Sequence, residues 1–160
     1  MAPQELEVSI HQPAEHEPRG FVRRYIFSMD HKVIGIQYLL TAMFVALVAG
    51  GLAMLMRLQL AWPDSKWPLL GKMLPAGFSG GVMKPEFYLS IVTMHGTLMA
   101  FFVISFALVS GFGNYLIPLQ IGARDMAYPV LNMLSYWVGL LGTIIILASF
   151  FVEGGAAASG

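Results

Sequence analysis

The sequence has no cysteine and few charged residues. Without cysteine, its 160 residues can form neither a disulfide nor a thiolate metal site. Only 11% of the residues are charged, whereas an ordinary soluble domain carries about 25%. Nine basic and nine acidic residues balance to a net charge of zero. This balance predicts neither nucleic-acid binding nor a strongly acidic partner.

Apolar residues are in excess: they make up 57% of the chain, and the mean hydropathy is +0.69. Three long uncharged runs cover residues 33–56, about 87–116 and about 129–152. The 24 residues of the first run would extend roughly 36 Å as a helix, more than the roughly 30 Å hydrocarbon core of a bilayer. Because backbone polar groups must pair internally in lipid, the runs predict an all-α membrane protein with three transmembrane helices.

The segment before the first run is polar. Residues 1–20 are rich in Pro, Glu and Gln and predict a mobile tail in water. His11 and His16 could bind a metal there, but a solvated tail is the favoured interpretation. Residues 21–32 mix aromatic and basic side chains, which indicates an amphipathic lead-in at the membrane interface. The first apolar run starts too late and is too long for a secretory signal.

The remaining segments are predicted loops. Residues 57–86 contain many prolines and glycines and predict an ordered-to-irregular aqueous loop, whereas residues 117–128 form a short, tight one. Residues 153–160 resemble the start of a truncated loop. Five basic residues on the side of the N-terminus against four on the other barely favour a cytoplasmic N-terminus.

His95, in "TMHGT", is the one ionisable imidazole in a stretch from Phe87 to Ala123 without Asp, Glu, Lys or Arg. Ionisable residues inside a span are costly and face the bundle interior. Imidazole is a usual axial ligand of haem iron, and Gly96 would let a flat ring approach the backbone. A hydrogen bond from His95 to a Ser or Thr of a neighbouring helix is the alternative.

Polar residues near the ends of the runs form a second group of candidates. Arg57 suits either an interfacial anchor or a planar donor to a cofactor substituent. Asp125 suits a turn residue, a partner for the adjacent Arg124, or the mouth of a proton path in which Asn114 and Asn132 hold waters, since buried amides need partners. His31 is predicted on the same side as Asp125 and is most simply an interfacial residue.

Four motifs give these residues a common context. In order along residues 27–137 they are "DHKVIGIQYLL", "GLAMLMRLQL", "TMHGTLMAFF" and "GFGNYLIPLQIGARDMAYPVLNMLSYW". Together they resemble subunit I of the haem–copper oxidases, specifically of cytochrome c oxidase. The resemblance implies that residues 21–152 are helices I to III of a roughly twelve-helix bundle. It also implies a bacterial inner (plasma) membrane location with the N-terminus in the cytoplasm.

The resemblance also implies roles for the candidate residues. His95 would be an axial ligand of the iron of low-spin haem a, Arg57 would hydrogen-bond the formyl group of that haem, and Tyr88 would lie near it.

On the cytoplasmic side, Asp125 would take up protons. Asn114 and Asn132 would order waters above it, and His31 would lie near this proton-uptake path.

The implied function is part of the catalytic subunit of a terminal oxidase, which passes electrons from cytochrome c to O2, forms water and pumps protons. The enzyme would need the remainder of subunit I, which binds the second haem and copper, together with subunits II and III and membrane lipids. A quinol oxidase of the same superfamily and a non-enzymatic three-span subunit are the alternatives.

The sequence departs from the family pattern at four positions. Arg124 replaces a proline beside Asp125, Val130 replaces a basic residue, Met133 replaces a second asparagine, and Asp30 replaces an asparagine before "HK". These changes leave the haem-side motifs intact but affect the region of predicted proton uptake.

Overall fold

Three long helices dominate the computed structural model, which describes residues 20–152 and residue 156. His31–Ala61, Pro85–Gln120 and Pro129–Phe151 are each long and apolar enough to cross a membrane. They confirm the three predicted spans and the all-α membrane class. Apart from residues 20 and 156, the tail predicted for residues 1–20 and the loop predicted for residues 153–160 lie outside the described residues.

Helix α1 comprises His31–Ala61 and is longer than its uncharged core. It begins where the Asp30 side chain accepts a hydrogen bond of 2.8 Å from the Lys32 backbone N–H, which is a standard N-cap. It continues past Arg57 because a single arginine does not disfavour helix. It stops just before Pro63, whose ring disfavours helix in the preceding residue.

The second span changes its helical type along its length. Helix α3, Pro85–Thr97, starts with proline at its first position, where no N–H is needed. A π-helical stretch, Leu98–Phe112, follows, and helix α4, Gly113–Gln120, completes the span. The apolar run predicted a helix here but not the π-helical stretch, because hydropathy does not distinguish i+4 from i+5 hydrogen bonding.

The third span is helix α5, Pro129–Ala148, followed by a 3₁₀ turn, Ser149–Phe151. The short loop before it begins only after Gln120. At that point Gly122 adopts a φ of +71°, a conformation that glycine tolerates without steric cost. The loop is therefore shorter than the predicted 117–128.

The connection between the first two spans is ordered. After α1 it contains the short helix α2, Pro68–Met73, a 3₁₀ turn, Pro75–Gly77, and a hairpin of β1, Phe78–Ser79, with β2, Val82–Met83. The strands pair antiparallel, with Phe78 opposite Met83. Residues 68–83 therefore lie at the ordered end of the predicted ordered-to-irregular loop.

This hairpin packs on one end of the bundle, here called the hairpin end. Phe78 and Met83 are buried there with Phe87 of α3 and Phe150 of the last turn. The opposite end, where α1 and α5 begin and α4 ends, is called the Asp125 end. Most of the lateral surface between the two ends is exposed apolar side chain, so lipid or further protein must cover it.

Glycines allow close contact between α1 and the second span. A Cβ atom added to Gly35 would lie 3.0 Å from the Gly111 carbonyl oxygen, and one added to Gly111 would lie 2.8 Å from the Leu39 side chain. Such small residues let helix backbones approach each other within membranes. The crossing therefore depends on the absence of both side chains.

We expect Gly111→Ala to lower the free energy of unfolding in detergent–SDS mixtures by about 1–3 kcal/mol, because the new methyl group overpacks the crossing. Gly142→Ala is the matched control, since a Cβ atom there meets no atom within 4 Å. The control should be neutral or slightly stabilising. Equal effects of the two substitutions would contradict the close crossing.

Candidate functional site

His95 lies ten residues into α3 and reaches across to α1. Its Nδ1 atom is 2.9 Å from the backbone carbonyl oxygen of Ala49. A carbonyl oxygen only accepts, so Nδ1 must carry the proton and donate it to this bond. The lone pair of the neutral ring is then on Nε2. Metal-binding histidines are commonly held in the same way: one ring nitrogen donates its N–H to a backbone carbonyl, and the other nitrogen binds the metal.

Glycines with open space in place of a side chain lie next to both partners of the His95–Ala49 bond. Added Cβ atoms on Gly96, Gly50 and Gly51 would meet no atom within 4 Å. Gly96 follows the histidine directly, and the glycine pair follows the carbonyl that holds its ring. The imidazole is half-buried, whereas Ala49 is fully buried. An oriented imidazole with a free Nε2, flanked by these glycines, has the chemistry to hold a haem iron.

Arg57 and Tyr88 lie further towards the hairpin end. Arg57 is eight residues beyond Ala49 on α1, and Tyr88 is seven residues before His95 on the antiparallel α3. Both are therefore displaced by roughly 11–12 Å in the same direction. Arg57 is exposed and forms no ion pair within the described part of the chain.

Tyr88 is half-buried and packs against the buried cluster of the hairpin end. It also borders a cavity of about 400 Å³ between the end of α1 and the start of α3, where Gln59 and Leu89 form part of the wall. The structure thus brings Tyr88 and Arg57 to one level of the bundle, but it records no contact of either with His95.

At the other end, His31 and Asp125 meet although 94 residues separate them. The Nδ1 atom of His31 is 3.3 Å from an Asp125 carboxylate oxygen, and Asp30 is more distant at 3.9 Å. The His31 ring is only 2% exposed, and its Nε2 has no hydrogen-bond partner among the described residues. The Asp125 side chain is 46% exposed, so it connects this buried ring to water.

The two asparagines differ in their hydrogen bonds. Asn114 is buried and donates to the Ser110 carbonyl oxygen at 2.7 Å, one turn earlier in the same span. The buried side-chain nitrogen of Asn132 has no protein partner within residues 20–152 and residue 156. The Asn132 nitrogen therefore has both of its N–H donors available to hold a water, whereas Asn114 has already used one of its two.

Two pairs of hydroxyl groups between α1 and α5 were not predicted from the sequence. The Tyr38 hydroxyl lies 3.0 Å from the Ser135 hydroxyl oxygen, and Ser135 donates to the Asn132 carbonyl oxygen at 2.7 Å. Thr41 and Tyr136 form a second pair at 3.1 Å. Sequence spacing could have revealed these residues. Tyr38 follows His31 by seven residues, and Ser135 follows Asn132 by three, so each pair shares a helix face.

The departures from the family pattern differ in environment. Arg124 and Val130 are exposed, and Arg124 forms no ion pair in the described part of the chain. Met133 packs against the buried cluster of Ile34, Tyr38 and Tyr136. The charge of Arg124 is therefore close to Asp125 along the chain without neutralising it through direct contact.

Comparison with known proteins decides the family. The family model for cytochrome c and quinol oxidase polypeptide I matches residues 33–160. The chain belongs to this family. The family resemblance predicted from the four motifs is thereby confirmed, and membership implies haem and copper cofactors for the complete subunit.

Individual relatives agree with this assignment. The alternative cytochrome c oxidase subunit 1 of Bradyrhizobium diazoefficiens is 46% identical over 91% of the chain. The cytochrome c oxidase subunit 1 of Cereibacter sphaeroides is 40% identical over 88% of the chain. A haem–copper oxidase subunit I+III of Aeropyrum pernix is 45% identical over 86%.

The chain spans only part of these relatives: 22%, 27% and 15% of their respective lengths. Within residues 20–152 and residue 156, no group of three or more His, Cys, Asp or Glu side chains is placed to hold a metal ion. The other histidine of the described residues, His31, lies at the Asp125 end, so His95 is the one histidine that this part of the chain offers to a haem.

We expect the His31–Asp125 contact to appear as coupling in a double-mutant cycle. His31→Gln and Asp125→Asn, measured singly and together by unfolding in detergent–SDS mixtures, should give an interaction energy of about 0.5–1 kcal/mol, since Asp125 is partly hydrated. The matched cycle pairs His31→Gln with Glu86→Gln, an exposed carboxylate at the hairpin end. It should give a value near zero, and equal values in the two cycles would contradict the contact.

Proposed function

We propose that this chain forms helices I to III of the catalytic subunit of a terminal respiratory oxidase. In the complete enzyme, electrons from cytochrome c reduce O2 to water and protons are pumped across the membrane. Family membership supports the reaction class, and the oriented ring of His95 is the single observation that carries the role of this segment. The named cytochrome c oxidase relatives favour cytochrome c over quinol as the donor.

The proposal assigns His95 to the low-spin haem a. With Nδ1 bound to Ala49, the ring presents the Nε2 lone pair that an iron ligand requires. The haem, when bound, supplies a one-electron carrier to the oxidase. Arg57 would donate to its formyl group and Tyr88 would lie near it, both from the level of the bundle that they share. The second haem ligand, the second haem and copper belong to the remainder of subunit I.

The proposal assigns the Asp125 end to proton uptake. Asp125 is exposed enough to exchange protons with water, and its carboxylate contacts the His31 Nδ1 atom. The unpartnered amide of Asn132 would hold a water above it, and Asn114 would border the same path from the second span. The Tyr38–Ser135 hydroxyl pair extends this polar route between α1 and α5.

The proposed function also implies an orientation in the membrane and a set of partners. Protons are taken up at the Asp125 end, so this end would face the cytoplasm and the membrane would be the bacterial inner membrane. Subunits II and III, cytochrome c and membrane lipids would be the partners. The Aeropyrum pernix relative, which is named as a subunit I+III, supports the association with a subunit III.

The His95→Asn substitution tests whether His95 ligates the haem or only contacts the neighbouring helix. The asparagine amide nitrogen can occupy the position of Nδ1 and keep the bond to Ala49, but it provides no Nε2 lone pair. We expect the assembled enzyme to lose the low-spin haem absorption and its oxidase activity. His31→Gln is the control and should retain the haem spectrum. A normal low-spin spectrum in His95→Asn would refute ligation and favour a purely structural histidine.

Asp125→Asn tests proton uptake separately. The substitution preserves size but removes the charge and the titrating group, so we expect pumping to stop and turnover to fall by about 100-fold. The haem spectrum should not change. Asp64→Asn, an exposed carboxylate beyond the end of α1, is the matched control and should keep full pumping. Normal proton uptake in Asp125→Asn would refute the assignment.

A further inference from the structure

The segment before α1, residues 21–27, does not extend away from the bundle. A short π-helical turn, Val22–Ile26, folds back beside α1. The Gln37 side chain donates to the carbonyl oxygens of Tyr25 at 2.7 Å and Ile26 at 3.0 Å. Gln37 lies six residues into α1, roughly 9 Å from its start. The segment therefore lies level with the first turns of the membrane span.

A second contact fixes the same segment to α5. The Phe27 ring stacks on the Trp137 ring, with centroids 5.0 Å apart and an interplanar angle of 25°. Trp137 lies eight residues into α5, roughly 12 Å from its start. Two helices therefore hold residues 21–27 at a depth beyond Lys32, the last charged residue before the uncharged run of α1.

The side chains of this segment do not suit water. Phe21 is 71% exposed and Phe27 is 50% exposed even with one face on Trp137. Val22 and Tyr25 are also exposed. Aromatic and apolar side chains at this depth are typical of an element embedded at the boundary between headgroups and acyl chains.

Two arginines lie among these apolar residues. Arg23 and Arg24 are exposed, and neither forms an ion pair with a described residue. The Arg24 guanidinium lies 5.3 Å from the Tyr25 ring centroid, which holds it beside the aromatic surface. The nearest acid along the described chain, Asp30, is engaged as the N-cap of α1. Within residues 20–152 and residue 156, the segment thus carries two positive charges that no ion pair neutralises.

We propose that residues 21–27 bind an anionic phospholipid. The apolar side chains would contact the acyl chains, and the paired guanidinium groups of Arg23 and Arg24 would bind the headgroup phosphate. Guanidinium forks match phosphate oxygens, and basic residues at a bilayer surface attract anionic lipid. Charge complementarity favours lipid over an apolar helix of the remaining subunit, which would bury both charges unpaired. The proposal does not depend on the oxidase reaction.

The test places a fluorescent reporter next to the arginines. Val22→Cys, introduced into the assembled complex, is labelled with bimane and reconstituted into bilayers that contain brominated phosphatidylglycerol or brominated phosphatidylcholine at equal mole fraction. The chain has no cysteine of its own, and complexes without the substitution measure labelling of other subunits. Stronger quenching by the anionic lipid is the expected result.

Substitutions then test whether Arg23 and Arg24 cause the preference for anionic over neutral lipid. With Arg23→Gln and Arg24→Gln together, we expect the association constant for the anionic lipid relative to the neutral lipid to fall roughly thirtyfold. Lys66→Gln with Lys72→Gln removes two charges from the hairpin end and should leave the preference intact. Raised ionic strength should weaken the preference in the native protein without any substitution.

Three results would overturn the proposal. Equal quenching by the two lipids in the native sequence would show no anionic preference. A preference that survives the loss of both arginines would locate it elsewhere. The absence of quenching by either lipid would mean that protein or water, and not lipid, covers the segment.

Discussion

The absence of hydrogen-bonding solvent inside a bilayer constrains every part of this chain. It forces the backbone of each span into helix, and it makes a polar side chain within a span costly unless that side chain has a hydrogen-bond partner. Backbone carbonyl oxygens supply many of these partners, because each can accept a second hydrogen bond. His95 uses Ala49 of the neighbouring helix, whereas Asn114 and Thr143 use Ser110 and Gly139 one turn earlier.

The same constraint explains how the contact of His95 with Ala49 bears on haem ligation. In water, either nitrogen of a neutral imidazole could carry the proton, and the ring could rotate. Here the Ala49 carbonyl fixes both tautomer and orientation, so the structural contact and the capacity for iron ligation belong to one arrangement. The two interpretations of a histidine in an apolar span, helix contact and ligand, are therefore compatible. Only the occupancy of Nε2 separates them.

Helix α1 connects the two ends of the bundle. His31 begins it, Tyr38 and Thr41 contact α5 through hydroxyl groups, and Ala49 holds the ring of His95. His31 and the Ala49 carbonyl that orients His95 thus lie on one helix, separated by 18 residues or roughly 27 Å. The chain itself leaves most of the lateral surface of the spans uncovered. This agrees with its length, a quarter or less of that of most of the relatives compared.

The sequence by itself determined the number of spans, the membrane class and the family, because long uncharged runs have few physical solutions and the motifs around His95 and Asp125 are distinctive. The tertiary structure alone decided which distant residues meet. Hydropathy contains no information about helix rotation or backbone register, so neither the pairing of His31 with Asp125 nor the bond from His95 to Ala49 could be read from the runs. The π-helical stretch and the Tyr38–Ser135 pair could not be predicted either, because backbone hydrogen-bond register and helix packing leave no trace in hydropathy.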